Sequence, residues 1–173
     1  SELLFVSKSS ISKELEKVQK ILGGIDLKSS AKGSYLNGDE SQLREAYIRF
    51  NHWLFTQCTS NNTYSEWLGK LEEYYSENVV AACKDVLISY LKNNWDFVSE
   101  VYVQSLLSSL IVQTYRMYCG EFVKCKPSGI ESEEAVNRIL NEVSDRLNID
   151  FNEIEKEYFA GKLISVSAPP SGF

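Results

Sequence analysis

Proline and glycine are scarce in this chain, with three and nine residues among 173. Scarcity of both excludes a collagen-like or long low-complexity architecture. Histidine occurs once, as His52. A single imidazole rules out the paired Glu-x-x-His motifs of a di-iron helical bundle. No Gly-x-Gly-x-x-Gly fingerprint, P-loop lysine motif or Gly-x-Ser-x-Gly elbow appears, so no cofactor is expected and catalysis has no positive support. Long apolar runs are missing too. The longest uncharged apolar stretch, Val101 to Tyr115, covers 15 residues and includes Gln104, Ser105, Ser108, Ser109 and Gln113. A spanning helix needs roughly 20 apolar residues. The expectation is a chain without a membrane span, intracellular and cytoplasmic.

Positive charge is the other deficit. The formal net charge is -6, and the segment Glu131 to Glu157 carries all of it, with nine acids against Arg138, Arg146 and Lys156. A nucleic-acid binder needs basic groups to displace counterions from phosphates. The nearest candidate is Lys8, Lys13, Lys17, Lys20, Lys28 and Lys32, but Glu2, Glu14, Glu16 and Asp26 share that stretch. Nucleic acid is therefore disfavoured as a partner on charge.

Four cysteines, Cys58, Cys83, Cys119 and Cys125, lie at irregular spacings. Three fall within apolar helical pattern, where a free thiol behaves as a small hydrophobe. A chain of this length needs no disulfide framework, so reduced thiols are expected. The Cys119–Cys125 pair lacks the close two-residue spacing of a zinc site and has no second pair. His52 and Cys58 are roughly 9 Å apart in helix rise, with an angular offset that discourages a catalytic pairing. No metal ligand set emerges. Asn61-Asn62-Thr63 matches a glycosylation sequon, but no leader segment supports its use.

What is present is helical periodicity. Ile11, Leu15, Val18 and Leu22 recur at spacings of three and four, predicting a helix over 12–22 with Ser10 as cap and Gly23-Gly24 as stop. Residues 25–38 read as a loop. Asp39 with Gln42 forms a capping box for a second helix reaching Cys58. Thr63 with Glu66 opens a third, and Ser76 caps a fourth. Residues 95–119 are apolar around most of the circumference, which places that helix at the centre. Gly120 suits its C-terminal stop. Ser132 caps a helix with Val136, Ile139, Leu140 and Val143 inward. Asp150 with Glu153 opens the last, which Gly161 ends.

The pattern predicts an all-α fold: an irregular multi-helix bundle or short helical solenoid of about seven helices around 95–119. Its organisation reads as a helical core over 1–120, a loop or hinge over 121–130, an acidic helical pair over 131–161 and an extended tail over 162–173. From the Asp150 helix through the alternating Lys162 to Ala168 stretch, the sequence resembles the end of the winged-helix module that closes proteasome-lid-type complex subunits. That resemblance specifies no function.

The aromatics are the remaining lead. Tyr64 and Tyr74 fall off the buried stripe of their helix, and exposed aromatics favour binding hot spots. Together with the acids Glu142, Asp145, Glu153 and Glu157 they form the candidate partner-binding set. The expected function is a noncatalytic protein–protein interaction domain, a subunit or adaptor of a larger complex. Its partner is another protein with a basic surface, and homo-oligomerisation stays open. The alternatives are a bundle binding a lipid or small apolar ligand, and a nucleic-acid-binding helical protein.

Overall fold

The structure, a computed structural model, describes residues 7–58, 61–94, 99–124 and 134–167. Within them lie seven helices and one hairpin. They are α1 (Lys8–Ile21), β1 (Asp26–Ser30), β2 (Gly33–Asn37), α2 (Glu40–Gln57), α3 (Thr63–Tyr75), α4 (Glu77–Asn94), α5 (Glu100–Tyr118), α6 (Glu134–Leu147) and α7 (Glu153–Ser167). The fold is an all-α multi-helix one, as the periodicity predicts. No helix among the described residues is long and apolar enough to cross a membrane.

α5 is the hub. Leu106, Leu107, Leu110, Ile111 and Val112 are inaccessible to water, and Gln104, Ser108, Ser109, Gln113 and Thr114 are buried beside them. α5 packs against α2, α3, α4 and α7, while α4 also meets α3 and α6. A helix surrounded on this many sides has no room for a polar face. Its start differs from expectation: Ser99 is the N-cap, its hydroxyl accepting from the Tyr102 backbone N–H. Trp95, at the expected start, lies outside the described residues. Gly120 at φ +82° closes the helix, with the Gly120 and Glu121 N–H groups donating to Met117 and Arg116 carbonyls. That left-handed turn is one a side chain resists.

Local capping is mixed in outcome. The Asp39–Gln42 box forms in both directions at 2.9 Å each. Ser76 adopts φ +72° and its hydroxyl accepts from Val79 N–H at 3.5 Å. α1 starts earlier than expected, capped by Ser7 rather than Ser10. α3 begins at Thr63 itself, with Asn62 in the cap position. α7 is capped by Asn152, whose Oδ1 accepts from Glu155 N–H at 3.0 Å, and not by Asp150.

Two larger corrections follow. Residues 26–37 form an antiparallel hairpin rather than a loop, with Leu27 opposite Leu36 and Ser30 opposite Gly33. The strands show no alternation of burial because both faces meet water; only Leu27 and Leu36 are half-buried. α7 continues through Gly161 to Ser167, so the extended tail expected from 162 is helical over its first part. Leu163 packs into the core, which favours continuing the helix over stopping at glycine. The winged-helix resemblance, which needed an extended segment there, lapses. Most of the expected hinge, with Cys125 and Ser132, lies outside the described residues, as do 168–173.

Candidate nucleic-acid interface and the neighbouring cavity

α1 has no buried residue and docks on α2. Its half-buried positions, Ile11, Leu15, Gln19 and Ile21, turn one side toward the protein. On the helical wheel Lys13, Lys17 and Lys20 lie opposite that side, and all three are exposed. Lys17 pairs with Glu14 at 2.7 Å. Lys13 and Lys20 enter no ion pair among the described residues.

The hairpin follows directly. Lys32 sits in its two-residue turn and Lys28 on β1, both exposed; Lys28 lies 3.6 Å from Asp26. Isolated two-stranded hairpins are marginal in water. This one is tied by Ser29 to Ser34 at 3.1 Å and by Asn37 Nδ2 donating to Asp26 at 3.1 Å. Over 7–37 the chain holds six lysines against Glu14, Glu16 and Asp26. This helix and hairpin are locally basic on an acidic protein.

Between the end of α1, α2 and α5 lies an open cavity of about 410 Å³, bordered by Ile21, Ile48, Arg49, His52, Trp53 and Gln104. Gly23 shapes it. A Cβ there would sit 2.4 Å from Arg49 Nε, and the residue holds φ +79°. Glycine therefore lets the guanidinium end of Arg49 lie against the end of α1. Spacing along the chain does not bring these residues together, because they come from three helices.

A buried ionic clamp forms at the start of α2. Glu155 of α7 accepts from Arg44 at 2.7 and 2.9 Å, from Gln113 at 2.8 Å and from Val123 N–H at 2.9 Å. Arg44 and Glu155 have no water contact. Arg44 also donates to Glu40 at 2.9 Å, and Arg116 donates to Glu40 at 3.0 and 2.8 Å. Burial pushes the Glu40 carboxyl up, but bonds from Arg116 and Arg44 outweigh it and hold the group below its usual range. For Arg44, burial alone would lower the guanidinium, yet Glu155 raises it above its ordinary value. Both shifts favour the charged forms of Glu40 and Arg44. The clamp joins α2, α5, α7 and the segment after α5.

The structure disperses the expected partner-binding residues. Tyr64 is half-buried against Trp67, with its hydroxyl buried and pairing with no described residue. Burial raises its pKa. Tyr74 is exposed, in edge contact with Phe50, which stacks on Trp53. Glu142 and Asp145 border one surface hollow on α6 beside Tyr90 and Arg138. Glu142 is paired with Arg146 at 3.0 Å and Glu153 with Lys156 at 3.0 Å. Glu157 is half-buried on α7. Helix spacing identifies the surface acids, but it does not encode a common surface for them.

Cys58, Cys83 and Cys119 are free thiols, and no cluster of metal-ligating residues occurs among the described residues.

Residues 1–51 match the Mga helix-turn-helix domain. The match covers less than a third of the chain and ends at Asn51 within α2, so it spans α1, the hairpin and most of that helix. No curated protein and no solved structure matches. The match overturns the expectation that nucleic acid is disfavoured as a partner. That expectation discounted the lysines of α1 and the hairpin because the chain is acidic as a whole and Glu2, Glu14, Glu16 and Asp26 share their stretch.

Proposed function

We propose that this chain is a noncatalytic DNA-binding regulatory protein that contacts duplex DNA with α1 and the β1–β2 hairpin. The carrying observation is the coincidence of the helix-turn-helix match with the chain's locally basic, exposed segment. A helix can enter a major groove of about 12 Å width. In helix-turn-helix proteins a recognition helix does so while neighbouring elements fix the backbone. Lys13, Lys17 and Lys20 on the outer face of α1 supply phosphate contacts, and Lys32 at the hairpin tip reaches the flanking strand. The exposed acids Glu142, Asp145 and Glu153 on α6 and α7 disfavour DNA contact there.

The test is fluorescence anisotropy on mixed-sequence duplexes across a salt series starting near 50 mM. Binding should weaken steeply with salt. Replacing Lys13, Lys17 and Lys20 with Gln should reduce the log–log slope by about 0.9 for each phosphate that the variant no longer neutralises. No binding at low salt, or an unchanged slope in the triple variant, overturns the reading.

The helical body supports a second role, contact with a further protein through the partly exposed Phe50–Trp53–Tyr74 cluster. Aromatic anchors of this kind concentrate interface energy. Light scattering with and without copurified partner would test it: Tyr74→Ser should weaken a complex formed by the natural chain. A strictly monomeric chain that forms no complex contradicts it.

A further inference from the structure

We propose that the cavity between α1, α2 and α5 binds a small monoanionic carboxylate carried on an aromatic or aliphatic body. The volume, about 410 Å³, falls in the range of small-ligand sites. Its chemistry is divided in the way such a ligand requires. Ile21 and Ile48 offer aliphatic surface, and Trp53, 37% exposed, offers an indole against which a flat body can lie.

Arg49 supplies the charge. Its side chain is exposed, and no carboxylate among the described residues pairs with it. Among the described residues, no acidic one borders the cavity. A guanidinium presents a planar fork that matches a carboxylate in two-point contact. The guanidinium end lies beside Gly23, where the absence of a side chain leaves it room at the mouth of the cavity.

His52 and Gln104 add to the polar side, which also includes Thr56, Ser105 and Ser108. Gln104 is 2% exposed, and its amide nitrogen lies 3.4 Å from His52 Nδ1. With the amide donating, the neutral imidazole carries its proton on Nε2, which remains a donor for the ligand. One guanidinium balances one negative charge, so the site fits a carboxylate better than a phosphate dianion.

The position adds a consequence. Ile21 belongs to the last turn of α1, whereas Arg49 and Trp53 belong to α2. An occupant touching both fastens the otherwise lightly held α1 to the body. Carboxylate binding itself does not depend on the DNA-binding role.

Isothermal titration at neutral pH with 1-naphthylacetate, its neutral counterpart 1-naphthaleneethanol, and 1-naphthyl phosphate decides the matter. The acid should bind at least about 10-fold tighter than the alcohol and tighter than the phosphate ester. Arg49→Gln, at an exposed position, should keep the natural thermal midpoint and erase most of that difference. Trp53→Ala should weaken acid and alcohol alike. Amide exchange in α1 should slow on adding the acid. Equal binding of acid and alcohol, no binding up to several millimolar, preference for the phosphate, or an unaffected Arg49→Gln variant would each overturn the proposal.

Discussion

Arg44 is the most consequential single residue of the fold. It is a charged side chain at 0% exposure, and groups from α2, α5, α7 and the segment after α5 depend on the clamp it forms with Glu155. Removing one member of a buried pair leaves the other charge uncompensated, which costs about 3–5 kcal/mol. Arg44→Ala should therefore unfold at markedly lower urea, whereas Lys17→Ala, at an exposed pair, should shift stability by no more than about 0.5 kcal/mol. Chemical denaturation followed by circular dichroism checks both. Nothing in the sequence announces this clamp, because Arg44 and Glu155 are 111 residues apart and each reads locally as a surface charge. His52 tells the same story: as the chain's one imidazole it is visible in the sequence, but its Gln104 neighbour on α5 is not.

At the scale of elements, legibility follows the strength of periodicity and of local hydrogen bonding. The Asp39–Gln42 box closes within one turn, so four residues suffice to specify it. α5 is readable because apolar residues on all sides admit only a central position. The hairpin escapes the pattern because period-two alternation reports a half-buried sheet, and this one has water on both faces. Gly161 misleads for a related reason. Glycine weakens a helix by only about 1 kcal/mol relative to alanine, and burial of Leu163 beyond it outweighs that penalty. The lysines of α1 are all visible in the sequence, yet their place opposite the side that docks on α2 gains meaning only once the buried side is known.

For the whole molecule, charge is divided unevenly along the chain rather than averaged, and acid stability should reflect the interior clamp. Glu40 has a folded-state pKa below its unfolded value. Its contribution is complete above the unfolded value, near 4.3, and disappears as pH falls through the depressed folded value. The natural chain should lose thermal stability from about pH 5 downward. Glu40→Gln, less stable at neutral pH, should lose less over that window; parallel curves would place the acid sensitivity elsewhere.

The sequence by itself determined a helical protein with a central apolar helix, no spanning segment and no recognisable catalytic motif, because periodicity and composition are local properties. Tertiary structure alone decided which charges are buried together, that 26–37 is a hairpin, and that Ile21, Arg49, Trp53 and Gln104 border one cavity. Those features depend on contacts between residues far apart in the chain, and spacing along a sequence carries no record of them.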